Sequence, residues 1–428
     1  MTRWGPAAVV LMLIAGATLY PVPPLLTPLP MFCLACGDLG GVDVVLNVLL
    51  FLPFGAALVW AGGSWRRAVV GAVLVSLTIE FLQLAIIPGR DASVSDLLTN
   101  SLGGMLGATG MRQWRELVYP QPRGARWLAL AGMSMAVAVM SATAALLRPS
   151  VPEMGLWGQW APQQLHFEPF TGEVHAVRVN GFNVPYNLVP DYEALRQSVS
   201  RGPTRAEVEI TTGRASQRLS AIARVGSNVQ ELLLFGQRGT DFVFRTRLAT
   251  RDWNFRTPAF AIAGALAGEA EPMSLVGELS EAGWTLSVHS ARGAVARFVP
   301  LSLSLGWSFI LPFEHPLVEG DWWISTVWLV ALALLPAYWG AMAGRRAGNR
   351  RLRPGPWWFA SSGVVLGGLA TIASVARFPM PAASEWLGVA LGCVAGFGIA
   401  AAVVARAVGE GRAVGMEDDR RAQSRLPA

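Results

Sequence analysis

The chain contains no lysine: all 34 of its basic residues are arginines, set against 28 acids for a formal net charge of +6. Charge itself is scarce. Asp, Glu and Arg together make up 14% of the 428 residues, where a soluble chain carries roughly 25%. The surplus Arg lies in short links between apolar runs. That distribution argues against a nucleic-acid partner, which needs basic residues gathered on one surface, and it fits cytoplasmic loops of a membrane protein. The absence of lysine reads as genome composition. Cysteine is nearly missing as well; three residues are too few for a disulfide framework. The four histidines, His166, His175, His289 and His315, all lie in the middle of the chain without metal-ligand spacing. The long apolar runs therefore hold no His, no Ser-His pairing and no metal-ligand set, and no metal or cofactor is expected.

Apolar residues are plentiful, at 53%, with a mean hydropathy of +0.42. Eight runs are expected to form transmembrane helices: 4–20, 42–61, 68–87, 94–111, 127–147, 322–343, 357–376 and 386–405. About 20 helical residues cross a hydrocarbon layer of ~30 Å. The first run also fits a cleaved signal peptide, with Ala15-Gly16-Ala17 as the processing site; a retained helix is preferred. Arg3, the links 62–67, 112–126 and 344–354, and the tail then fall on one side of the membrane. The loop 21–41 and everything from 150 to 320 fall on the other. The positive-inside rule makes the first side cytoplasmic, with both termini there. The loop 21–41 carries Cys33-x2-Cys36, for which a local disulfide, a redox pair and a metal site all stay open, a structural role being preferred.

Composition changes at Arg148-Pro149. From 150 to 320 the long apolar runs stop, and short segments alternate apolar and polar residues between Gly, Asn, Asp and Ser. About ten strands are expected, at 174–179, 206–211, 218–225, 231–236, 241–248, 256–263, 274–279, 284–290, 294–299 and 307–313. That pattern gives an extracytoplasmic all-β, jelly-roll-like sandwich beside a membrane all-α part.

The chemistry-bearing residues lie between 42 and 107. Asp43 and Asn47, Glu80 and Gln83, and Asp96 and Asn100 are pairs at helical spacing inside apolar segments. Arg90 stands in the turn between the last two segments. Buried ionisable groups are costly in a membrane and often mark a site. With the expected topology all seven fall in the outer half of the bilayer. Glu80 needs a partner or water, and Arg90 is a candidate for it; Arg90 also suits a phosphate or carboxylate. Two readings stand side by side: an outward-facing polar pocket, and a network that only staples three helices. Gly103, Gly104 and Gly107 have the spacing that lets helices pack closely.

Those same residues carry a resemblance. Asp43-x3-Asn47, Leu50-Phe51-Leu52-Pro53-Phe54-Gly55, Glu80-x2-Gln83, Gly89-Arg90, Asp96-x3-Asn100 and Gly103-Gly104-x2-Gly107 together resemble the VanZ family over about residues 5–110. The family's founding member is associated with resistance to the glycopeptide teicoplanin. The resemblance implies a multi-span membrane protein of the cell envelope, and makes the seven polar residues the matching positions. The middle region more distantly resembles laminin G-like and concanavalin-like sandwiches. Such domains often bind glycans, and Trp253, Phe255, Trp284 and Trp307 would either stack on sugars or fill the core.

The organisation expected is a VanZ-like membrane domain at 1–112, a basic loop and fifth span at 113–149, the sandwich at 150–320, three further spans at 321–407 and a cytoplasmic tail at 408–428. The function expected is binding of an envelope glycan, a lipid-linked precursor or a protein partner, linked to envelope biogenesis or glycopeptide-type resistance. An enzyme or transporter acting on lipid-linked precursors stands as the alternative, with Glu80 or Asp96 as acid/base and Arg90 for phosphate. A scaffold whose polar cluster only packs helices is the third reading.

Overall fold

A computed structural model of the chain describes residues 3–21, 37–90, 92–153, 155–163, 167–227, 230–345 and 352–423, the last sixteen of them by backbone alone. Cys33, Cys36, Asp91, His166, Arg346, Arg350 and Arg351 lie outside the described residues.

The helices are α1 (Gly5–Thr18), α2 (Gly40–Trp60), α3 (Trp65–Ala85), α4 (Val94–Arg112), α5 (Trp114–Val118), α6 (Pro122–Leu146), α7 (Tyr192–Arg201), α8 (Trp322–Ala343), α9 (Pro356–Val375) and α10 (Ala383–Gln423). Six of them are long and apolar enough to cross a membrane: α2, α3, α6, α8, α9 and α10 up to Ala407. The protein is a multi-pass membrane protein. The expected count of eight is thus approximate, with α1 and α4 falling outside this measure. α1 has only 14 residues, about 21 Å of helix. α4 has 19 residues, and Asp96, Thr99, Asn100 and Ser101 make it more polar than the six.

Two seams of small residues set the helix packing. In the first, α2 and α4 run side by side in the same direction with α3 antiparallel to both. A Cβ at Gly103 or Gly107 would collide with the carbonyls of Val48 or Leu52, and one at Gly55 with that of Gly104. On its other side Gly104 faces Ala72 of α3. Backbones that close leave no room for side chains, so dispersion contacts between main chains replace a hydrophobic drive that lipid cannot supply. In the second seam Gly388, Gly392 and Gly396 of α10 lie on the carbonyls of Thr326, Val330 and Leu334 of α8.

Between α6 and α8 the chain forms a two-sheet antiparallel sandwich. Its strands are β1 (Trp157–Trp160), β2 (Glu173–Val179), β3 (Phe182–Asn183), β4 (Asn187–Leu188), β5 (Thr204–Thr211), β6 (Ser216–Gly226), β7 (Glu231–Gly239), β8 (Asp241–Thr246), β9 (Ala259–Ile262), β10 (Pro272–Leu279), β11 (Gly283–Ser290) and β12 (Gly293–Pro300). One sheet has the order β4-β1-β6-β7-β8-β9 and the other β12-β11-β10-β5-β2-β3. Alternation puts Phe235, Phe242, Phe244, Phe260 and Trp284 between the sheets, all buried. Nine of the expected strands exist. The tenth, 307–313, does not: Leu303–Ile310 is a 3-10 turn whose first residues are capped by the Ser302 hydroxyl, accepting from the Ser304 amide at 3.0 Å. Its residues are buried on every side, against the sandwich core and against α6 and α8. A segment buried all round has no alternation to report its conformation.

The first seam gives a test. Gly107→Val should lose stability at or beyond the upper end of the ~1–3 kcal/mol that overpacking costs, seen as a lower unfolding temperature and a broadened size-exclusion profile in detergent. Gly110→Val, one turn away with no atom near its Cβ position, should behave like the parent. Equal behaviour of the two variants would contradict the seam.

Candidate functional site

Packing α2 against α4 brings Asn47 next to Asp96. The Asn47 amide donates to the Asp96 carboxylate at 2.9 Å. Across the antiparallel pair α3–α4, the Asn100 amide donates to the Ser76 hydroxyl at 3.0 Å, both residues buried. Nearer the helix ends, Glu80 accepts from the backbone amide of Ser93 at 2.7 Å. Ser93 is the residue that starts α4, its own hydroxyl accepting from the Ser95 amide at 3.1 Å. Glu80 therefore pins the first turn of α4 and does not pair with Arg90, the partner expected from the sequence.

Arg90 is used differently. Its Nε donates to the Tyr20 carbonyl at 3.1 Å and a terminal nitrogen donates to the Ala17 carbonyl at 3.3 Å. Gln83 donates to the Thr18 carbonyl at 2.9 Å. These two side chains close the C-terminal end of α1, where a cation and amide donors are favourable. The other Gln83 amide atom, Oε1, is buried without a partner.

Asp43, Asn47, Gln83, Arg90 and Asp96 share one cavity of about 830 Å³. Glu80 and Asn100 stand behind it. Asp43 is exposed to the cavity and has no hydrogen-bond partner among the described residues. The apolar part of the wall comes from α2, through Leu46, Leu49 and Leu50.

The cavity is not a property of the helices alone, because the sandwich roofs it. The 3-10 turn Ala249–Trp253 ends on Asn254, whose left-handed backbone (φ 54°) turns its carbonyl toward α2. That carbonyl accepts from the Gly41 amide at 3.1 Å. It thereby satisfies one of the orphan amides at the start of α2, which has no side-chain cap. Gly41 is required here, since a Cβ would strike the Trp253 carbonyl. Arg251 adds a bond to the Asp38 carbonyl at 3.3 Å. Two residues past the turn, Arg256 enters the cavity wall with Pro312. Its Nε donates to the Leu311 carbonyl at 2.9 Å. Burial holds its pKa below the usual arginine value against the pull of Glu314, and Asp43 lies within its field.

Behind Arg256 the outer face of the first sheet carries an ionic cluster. Glu231 takes both Nε and a terminal nitrogen of Arg245, at 2.7 and 3.1 Å. Arg224 lies 3.8 Å from the same carboxylate, and Glu314 lies 3.6 Å from Arg245. The side chains of Glu231 and Arg245 are 12% and 17% exposed. Burial pushes the Glu231 carboxyl up, but Arg245 and Arg224 overcome it and hold the pKa below the ordinary range.

The aromatic candidates divide. Trp284 is fully buried, its ring tilted against Phe260 with centroids 4.2 Å apart, and donates to Thr246. Trp307 is buried and donates to Ser325 of α8. Phe255 is half-buried against the core. Trp284 and Trp307 therefore fill the interior and present no ring face for sugar stacking, and Phe255 packs against the core. Trp253 alone is open, at 68% exposure, and sits where the sandwich meets the start of α2. Among the described residues no group of three or more His, Cys, Asp or Glu is placed to hold a metal.

Sequence reasoning missed Arg256 and the Asn254 contact. The signal was weak: an Arg in an Arg-rich region, 213 positions beyond Asp43.

Residues 11–115 match the family model described as VanZ/LLP1, about a quarter of the chain, and form a VanZ-like domain with the sandwich after it. The match contains all seven polar candidates and neither Arg256 nor Pro312. No curated protein and no solved structure matches the chain.

The roof gives a pH test. Glu231 has a lower pKa folded than unfolded, so it contributes stability that is complete above the ordinary glutamate value of about 4.3 and is lost as pH falls through its depressed value. The sandwich should lose stability along that acid limb, followed by tryptophan fluorescence during thermal unfolding. Glu231→Gln should flatten the limb and, at neutral pH, cost about 3–5 kcal/mol by leaving buried arginine charge uncompensated. An unchanged acid limb in that variant would contradict the assignment.

Proposed function

We propose that this chain is a binding protein of the cell envelope, whose cavity receives the polar part of an envelope molecule. In this reading the protein lies in the bacterial cytoplasmic membrane with both termini cytoplasmic. The arginine-rich links 62–67, 112–126 and 344–354 support that orientation. The cavity and the sandwich then face outward. The observation that carries the reading is the convergence of five of the seven polar candidates on one open cavity, covered by an arginine from a separate domain. A volume of this size suits a ligand as large as a lipid headgroup or a small sugar unit.

Binding is favoured over turnover because both carboxylates named as acid/base are already engaged. Asp96 is held by Asn47, and Glu80 stands outside the cavity wall on the Ser93 amide. The stapling reading keeps part of the cluster: Asn100–Ser76 and Glu80–Ser93 tie α3 to α4 and face no cavity. The sandwich acts as a roof, with Trp253 as an interfacial anchor. Glycan recognition through Trp284 and Trp307 drops out. Any effect on glycopeptide sensitivity would follow from occupancy of the cavity by an envelope component.

The test is retention of ligand. Detergent-purified chain, incubated with a total bacterial lipid extract and analysed by native mass spectrometry, should keep an adduct that Leu46→Trp removes by filling the cavity. Leu46→Trp should keep the parental unfolding temperature, whereas Asn100→Leu should lower it and leave the adduct in place on the folded fraction. An adduct held equally by parent and Leu46→Trp would refute the cavity as its site.

A further inference from the structure

Four charged side chains face the cavity: Asp43 and Asp96, and Arg90 and Arg256. Their formal charges cancel, yet none is ion-paired with another or with any other described residue. Opposite charges that could attract are held apart by other bonds. Arg90 is fixed by the Tyr20 and Ala17 carbonyls. Arg256 is fixed through its Nε by the Leu311 carbonyl. Asp96 is fixed by Asn47. Holding partly desolvated charges apart costs energy unless something between them completes the pairing.

The sign balance selects the ligand. An anion would satisfy the guanidiniums and repel Asp43 and Asp96, and a cation would do the reverse. A molecule with both signs meets all four. A further acceptor points the same way: Gln83 borders the cavity, and its Oε1 is buried with no donor among the described residues. An acceptor of this kind suits an N–H group, so the cationic part should carry hydrogens. Part of the wall is apolar, and Leu49, which belongs to it, is 51% exposed on a helix long and apolar enough to cross a membrane. The cavity is thus polar at one end and continuous with the bilayer at the other.

From this we infer that the cavity binds a zwitterionic amphiphile from the bilayer, its phosphate held between Arg90 and Arg256, its primary ammonium at Asp43, Asp96 and Gln83, and its chains lying over Leu46 and Leu49. The inference rests on the binding function proposed above and deepens it. It also makes the sandwich a ligand-binding element, because one of the two phosphate donors comes from the chain that follows Asn254.

The probes are phosphatidylethanolamine, phosphatidylglycerol, phosphatidylcholine and soluble glycerophosphoethanolamine, each titrated against the full chain in non-ionic detergent by native mass spectrometry, with thermal unfolding in parallel. Phosphatidylethanolamine should bind about tenfold or more tightly than phosphatidylglycerol, which has no cation, and than phosphatidylcholine, whose quaternary cation donates no hydrogen bond; that is the size of one charge-assisted hydrogen bond. Glycerophosphoethanolamine should bind more weakly than the lipid. Arg256→Gln and Asp43→Asn should each reduce the preference for phosphatidylethanolamine at an unchanged unfolding temperature. Equal binding of the three lipids, all displaced by Leu46→Trp, would overturn the zwitterion and leave the cavity reading intact. Equal binding by the soluble headgroup would overturn the bilayer source. Binding that Leu46→Trp does not touch would overturn both readings together. If a variant fails to fold, the order of the three lipids on the parent chain still decides the matter.

Discussion

The approach of α2 to α4 is the constraint on which the site depends. Gly55, Gly103 and Gly107 let the two backbones meet without side chains between them. Their shared direction puts the beginnings of both helices at the same depth. Only then does Asn47 reach Asp96, and only then do Asp43 and Asp96 face one cavity. A wider separation would leave two isolated carboxylates in a membrane, each needing its own water or proton. The same seam carries α3 through Gly104 and Ala72, which sets Ser76 against Asn100 and Glu80 against Ser93.

The second element is the dock between sandwich and membrane helices. It uses little: a left-handed Asn254, a bare Gly41 and a few carbonyls. Its effect is large because it satisfies backbone groups at a helix start that no side chain caps. The ionic cluster on the outer face of the first sheet lies directly behind this contact. Glu231, Arg245 and Glu314 stiffen the segment from which Arg256 projects. The polar candidates thus have two jobs. Glu80, Asn100 and part of Asn47 position helices, while Asp43, Arg90, Asp96 and Gln83 border open space.

Much of this was legible in the sequence, for identifiable reasons. Membrane helices declare themselves because lipid tolerates so few polar residues, and nine strands declared themselves by alternation. The seven polar positions stood out against apolar surroundings. Where the reading failed, the local signal was ambiguous. Leu303–Ile310 is apolar and enclosed, so strand and 3-10 turn look alike. α7 sits among strands and shows only Leu195 and Val199 as an apolar stripe. The seam at Gly388, Gly392 and Gly396 was readable by the same spacing rule that singled out Gly103 and Gly107. Arg256 was beyond reach of any local rule, because the cavity it enters is built, Pro312 apart, from residues 160 to 239 positions earlier.

The most direct measurement is a high-resolution electron cryomicroscopy map of the full chain in nanodiscs containing phosphatidylethanolamine. The account predicts headgroup density between Arg90 and Arg256, bordered by Asp43, with chain density running past Leu46 and Leu49 into the bilayer. A map in which the four charged side chains close on one another, with no space between the sandwich and the start of α2, would contradict it.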